Sequence, residues 1–173
     1  GRWTGIVEAQ HLALDATRRA GDRTAEAKVL CGLARAHIWH GDLDEAQRRL
    51  TRAAEIFEDL DHRLDQARTQ HALTELFDRR GDHRTAIAHA HRALALYEEV
   101  GDVPGTARAL NAVGWCHTCL DEHDKAVERC ERALAVLRGI GDLDGEAATC
   151  GSLGHAYQRL GRFTEAIAHY RRA

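Results

Sequence analysis

The sequence predicts an all-α protein, an array of antiparallel helix pairs stacked side by side without strands or a second domain. Three observations predict it. First, between residues 107 and 134 a set of apolar, small or half-polar residues falls at Leu110, Val113, Gly114, His117 and Leu120. The set breaks at Asp121-Glu122 and resumes at Ala126, Val127, Cys130, Ala133 and Leu134. Steps of three, four and one hold each set on one side of a helix, giving two amphipathic helices joined by a tight turn. Second, the chain lies on itself when shifted by forty residues: Ala46, Ala86, Ala126 and Ala166 form one column. Ala53, Ala93, Ala133 and Ala173 form another, with Ala13 as an earlier member, and Leu33, Leu73, Val113 and Leu153 a third. Such columns mark repeated units that bury their faces against one another. Third, one proline, little Val/Ile/Thr alternation and abundant Ala, Leu, Arg and Glu favour helix over strand.

The elements follow in order. A lone helix over 2–20 precedes four pairs: 24–40 with 43–59, 62–80 with 83–100, 104–120 with 123–139, and 143–160 with 163 onward. The repeats are thus 21–60, 61–100 and 101–140, with 141–173 a truncated last one and 1–20 the second helix of a preceding one. Gly1, Gly41, Gly81 and Gly161 mark the turn inside a pair, where Asp121 stands in once; Gly21, Gly101 and Gly141 mark the turn between pairs, where Asp61-His62 is the exception. Glycine supplies the left-handed cap, and aspartate tolerates it better than most residues. The alanine columns belong where helix backbones cross closely. Trp3, Leu43 and Phe163 open second helices and fill the gap beside the turn, with His83 and His123 as weaker fillers. Pro104 suits a first helical turn, where a missing N–H does no harm. The start on a second helix, and Gly1 itself, suggest a slice of a longer array, whose uncapped ends invite self-association.

Bulk properties narrow the function classes. At 173 residues and 44% hydrophobic content the chain can bury a core as one domain. A net charge of −3 and a pI near 6.5 give no global field for nucleic acid or an anionic membrane. No apolar run approaches a membrane span, and no signal-like N-terminus is seen. Five cysteines at irregular spacings make no disulfide framework and point to a reducing cytoplasm. Arginine far outnumbers lysine (Lys28 and Lys125 only), as coding bias in a GC-rich genome would produce.

The sequence Leu153-Gly154, Tyr157, Gly161, Phe163, Ala166, Tyr170 and Ala173 resembles the tetratricopeptide repeat, and the resemblance covers essentially the whole chain. The forty-residue period, with Gly-Asp in place of the usual inter-repeat proline, is similar to the longer-helix variety found in kinesin light chains, G-protein-regulator scaffolds and C-terminal arrays of actinobacterial multidomain regulators; composition makes the last group the nearest likeness. The resemblance implies a right-handed superhelical solenoid that binds a protein or peptide and carries out no catalysis. The second pair departs from the pattern, with Thr74 where Gly or Ala belongs and Gln70 where an apolar residue belongs.

In this family the first helices line the concave face. Its ligand-facing positions fall on Lys28, Cys31, Arg35, Ile38 and Trp39, then on Arg68, His71, Glu75, Asp78 and Arg79. They continue on Arg108, Asn111, Trp115 and Thr118, and on Ala148, Gly151, Ser152, His155 and Arg159. Cations outnumber carboxylates there although the chain is acidic, which suggests an acidic peptide or carboxylate-bearing partner. Asn111 resembles the family's backbone-holding asparagines, and Trp39 and Trp115 offer flat anchors. The lysine-asparagine clamp for a terminal carboxylate is not reproduced.

Other chemistries find less support. Cys116-x-x-Cys119 has no second pair to complete a structural zinc site, so no cofactor or metal is expected; Cys130 and Cys150 fall on packing positions. His89 and His91 face different sides of a helix and cannot share a metal. Ser152, the only serine, has His155 three residues on but no nucleophile elbow around it, so no enzyme is expected. No glycine-rich phosphate loop occurs, and arginine pairs such as Arg48-Arg49 and Arg171-Arg172 are scattered, so no direct nucleic-acid contact is expected.

Overall fold

The structure, a computed structural model, describes residues 2–173, with side chains described at Ala9 and from Leu12 onward. The expected roles of Gly1 and of the Trp3 side chain lie outside the described residues. Nine helices and no strand occur among the described residues: α1 (Arg2–Ala20), α2 (Arg23–His40), α3 (Leu43–Asp59), α4 (Arg63–Arg79), α5 (His83–Val100), α6 (Val103–Cys119), α7 (His123–Ile140), α8 (Leu143–Arg159) and α9 (Phe163–Tyr170).

The sequence-based boundaries differ from these by a residue at most, and the caps explain where each helix begins. Asp22, Asp42, Asp82, Asp102 and Asp142 each accept a hydrogen bond from the backbone N–H three residues on, satisfying a donor that the helix leaves free. Asp102 therefore starts α6 at Val103, one residue before Pro104, which occupies the first turn. Asp61 and Asp121 take the left-handed conformation, with φ of 52° and 60°, where the other turns use glycine.

Packing alternates helix against helix along the chain, and at one facing pair of positions the repeat sets a small residue against a larger one rather than keeping residue identity. Ala34 on α2 is matched by Leu50 on α3, both fully buried. At the same two positions the third pair has Gly114 and Cys130, and the fourth has Gly154 and Tyr170. A Cβ on Gly114 would meet Cys130 Sγ at 2.3 Å, and one on Gly154 would meet the Tyr170 ring at 2.5 Å. The second pair inverts the sizes, with Thr74 on α4 and Ala90 on α5. That accounts for the departure at Thr74, whose hydroxyl donates to Gln70 O at 3.0 Å. Gln70, equally out of pattern, is buried and pairs through Oε1 with His89 Nδ1 at 2.7 Å. A buried polar pair substitutes there for hydrocarbon.

The stack curves in a definite direction. The first helices touch across repeats, α2 on α4, α4 on α6 and α6 on α8, whereas α3, α5 and α7 make no such approach to one another. First helices therefore lie on the inside of the bend. No helix among the described residues is long and apolar enough to cross a membrane.

Candidate functional site

The inside of the bend holds an open recess of about 240 Å³ between α4, α6 and α8. His71, Glu75 and Asp78 line it from α4, Arg108, Asn111 and Trp115 from α6, and Ser152 from α8. Helical spacing puts these residues there: positions three and four apart share a face, and the opposite face of each helix is taken by Leu73, Leu76, Leu110, Val113 and Leu153 in the core.

Stacking in register turns equivalent positions into rows that cross the helices. Lys28, Arg68 and Arg108, all exposed, form one row on α2, α4 and α6. Cys31, His71, Asn111 and Gly151 form the next, and Arg35, Glu75, Trp115 and His155 a third. Trp115 Nε1 donates to Asp78 Oδ1 at 2.9 Å, and its ring meets His155 edge-on at 5.5 Å. His155 meets Tyr170 in the same way at 5.5 Å. Asn111 Oδ1 accepts from Cys130 Sγ at 3.7 Å, and its amide nitrogen has no partner among the described residues. Trp39 is 70% exposed, with the Arg79 guanidinium 5.1 Å from its ring centre. Ile38 and Thr118, assigned to the groove by resemblance, are buried instead. Ile38 packs in the core with Leu73 and Leu76, and Thr118 donates to Gly114 O at 3.2 Å.

The tetratricopeptide repeat family model matches residues 26–99, 65–139 and 117–173. The chain belongs to the tetratricopeptide repeat family. No curated protein matches it in sequence. Among solved structures it is similar to a Rap protein complexed with competence and sporulation factor, at 17% identity and a TM-score of 0.86, over 99% of this chain and 48% of that one. It is similar to BtubC from P. vanneervenii at 21% identity and a TM-score of 0.86, over 99% and 72% of the two chains. A signal transduction ATPase with numerous domains and a tetratricopeptide repeat sensor, from Pyrococcus horikoshii, matches at 20% identity and 0.75, over 86% and 23%. At these identities the likeness is one of fold. The chain spans about half the length of the Rap structure and of aspartyl phosphate phosphatase F from Bacillus subtilis, at 48% and 46%.

Within this tetratricopeptide array, charge is distributed less simply than the groove positions suggest. Arg68 sits 3.3 Å from Asp65, Arg79 sits 3.3 Å from Glu75, and Arg159 donates to Asp121 at 2.6 Å in the turn before α7. Exposed pairs like these are weak and exchangeable. Lys28, Arg35 and Arg108 make no ion pair among the described residues; Arg108 donates only to Pro104 O, at 3.2 Å. Burial, and then the Arg108 charge, hold His71 below the ordinary histidine range, so it enters the recess neutral.

The cysteines are thiols without partners in disulfides. Cys116, Cys130 and Cys150 are buried, as packing residues would be. Burial pushes Cys116 and Cys130 up to about 12, which makes them poor nucleophiles. Ser152 donates to Ala148 O in its own helix at 3.3 Å, and His155 is occupied by Trp115 and Tyr170, so the two form no hydrogen-bonded dyad. Sequence reasoning placed Asp78 only as one groove position among many. The structure makes it a hub for Trp115, His83 and Cys119, residues from two other helices. Only the repeat register, laid over three successive helices, carries that signal in the sequence.

Proposed function

We propose that this array is a protein- or peptide-binding module with no catalysis of its own, and that its partner lies extended across the first helices. The observation that carries the reading is the row Lys28, Arg68 and Arg108 beside a recess containing Trp115 and Asn111. Carboxylates on the partner would exchange with Asp65 for Arg68 and meet Arg108 in the forked geometry of a guanidinium, and meet the Lys28 ammonium as a point charge. An apolar or aromatic side chain would enter against Trp115, while the Asn111 amide nitrogen holds the partner's backbone. The partner is thus an acidic segment with an apolar anchor, and neither nucleic acid nor a membrane.

The helix starts at Arg23, Arg63, Val103 and Leu143 are forty residues apart and support placement in the longer-helix variety of the family. The likeness to a Rap protein in complex with its factor, and to a signalling ATPase with a tetratricopeptide sensor, supports a docking or sensing role. We place it in a larger bacterial regulator, acting in the cytoplasm on transcription. The test is selection of random peptides displayed on phage, against the parent chain and the Arg68→Glu/Arg108→Glu variant. Peptides enriched by the parent should be rich in Asp and Glu, should lose affinity as salt rises, and should bind the variant weakly. Equal enrichment by both proteins would overturn the reading.

A second reading, an oligomerisation scaffold, is favoured by the exposure of Phe163 (63%) and Ile167 (51%) on α9. Light scattering over a dilution series decides it: mass should rise with concentration, and a constant monomer mass would reject it.

A further inference from the structure

At the corner where α4, α5 and α6 meet, Asp78, His83 and Cys119 each bring one donor atom to a common point. All three atoms lie within 4.8 Å of one another, and all three residues are partly buried. The repeat shows how unusual this is. At the equivalent corner one repeat earlier the positions carry Ile38, Leu43 and Arg79; one repeat later they carry Thr118, His123 and Arg159. At the earlier corner the place of Asp78 is taken by hydrocarbon, Ile38 being 1% exposed. A carboxylate at the place of Ile38 and an imidazole at the place of Leu43 cost desolvation that the hydrocarbon does not. Consistency of a repeat tends to break where function requires it.

The polar groups at the corner are also not fully satisfied by one another. His83 Nδ1 is buried and lies 3.2 Å from Asp78 Oδ1, yet makes no aligned hydrogen bond. That same Oδ1 already accepts from Trp115 Nε1 at 2.9 Å, an outer contact of the kind that fixes a metal-binding carboxylate. Asp78 Oδ2 has no partner among the described residues. Cys116, one turn before Cys119, is fully buried and is not one of the three converging residues.

We propose that this corner binds one zinc-class divalent cation through Asp78, His83 and Cys119, with water completing the coordination. A thiolate, an imidazole and a carboxylate form a donor set that suits zinc, and three protein ligands leave a fourth position open. On binding, the Cys119 thiol gives its proton to solvent and bonds as thiolate; His83 bonds as neutral imidazole. The donors, within 4.8 Å of one another, draw together on binding, and His83, the first residue of α5, and Cys119, the last of α6, sit at helix ends that can give. Because Asp78 also lines the recess, the ion would stand at its rim. The inference goes beyond the binding role and does not rest on it.

Cobalt(II) titration of the chelator-treated 173-residue chain tests the site. The expected result is a thiolate-to-cobalt charge-transfer band with tetrahedral visible bands, saturating at a single equivalent and abolished by added zinc. Cys119→Ser should remove the charge-transfer band, and His83→Gln should weaken binding by about tenfold or more, as should Trp115→Phe through its outer contact. Cys116→Ser should leave the spectrum unchanged, and circular dichroism checks that each variant is folded. Independently of any variant, zinc should slow alkylation of Cys119 by iodoacetamide in the parent chain, read by peptide mass spectrometry. No thiolate band in the parent, a band that survives Cys119→Ser, or alkylation of Cys119 unaffected by zinc would each overturn the proposal.

Discussion

Gly114→Ala tests the close approach of α6 and α7 at Gly114 that sets the helix spacing. On helix propensity alone the change should stabilise, by up to about 1 kcal/mol. Packing opposes it. The new Cβ would lie 2.3 Å from Cys130 Sγ, 3.1 Å from Ala126 O and 3.3 Å from Cys130 N. In an open site the sulfur would rotate away, but Cys130 is fully buried and two of the three contacts are backbone. The helices must then part, and overpacking of this kind costs about 1–3 kcal/mol. With the upper half of that range set against the propensity gain, a net loss of about 1–2 kcal/mol results. Gly151 supplies the control: it too is inside a helix, but a Cβ there meets nothing within 4 Å. Gly151→Ala should therefore gain what Gly114→Ala would gain without the clash. Cys130→Ala in the Gly114→Ala background should recover stability, with a coupling of about 1–2 kcal/mol in the double-mutant cycle. Urea denaturation followed by circular dichroism measures these three variants and the single Cys130→Ala that closes the cycle. If Gly114→Ala proves as stabilising as Gly151→Ala, the close approach at Gly114 does not set the helix spacing.

Three further outcomes follow from the same geometry. His71 and His89 are both held below the ordinary value of 6.5, chiefly by burial, so the unfolded chain binds more protons than the folded one in that range. Their contribution to stability is full above that pH and is lost as pH falls through and below it. Melting temperature should accordingly drop on acidification, and the drop should shrink in His71→Gln. Asp102→Ala removes the side-chain cap of α6 and should cost about 1 kcal/mol by urea denaturation. Asp61, at φ 52°, should tolerate Gly but not Ala, with Asp61→Ala less stable than Asp61→Gly by about 1 kcal/mol in the same assay.

Much of the fold was legible because each helix is announced twice, by its apolar spacing and by the Asp or Gly at its ends. Asp61 and Asp121 could be read as left-handed caps because they occupy glycine positions in the register. Burial of Cys130 and Cys150 followed from the same columns. The pairing of sizes between Thr74 and Ala90, or Gly154 and Tyr170, was not legible one residue at a time, since it appears only when two columns are read as a pair. The groove was harder still. Row membership told which residues lie on the first helices, yet not that Arg159 would turn to Asp121, thirty-eight residues away, or that Ile38 would be buried. Those outcomes depend on side-chain partners from neighbouring repeats. Asp78 shows the limit most clearly, because its three neighbours come from α5 and α6 and none is close to it in both sequence and helical phase.

Hydrogen exchange on the parent chain, with and without an acidic peptide enriched by the phage selection, tests the account at its centre. Protection should appear along α2, α4, α6 and α8 and be strongest around Arg68 to Asp78 and Arg108 to Trp115. Protection confined to α3, α5 and α7 would place the partner on the outside of the bend and contradict the assignment of the groove.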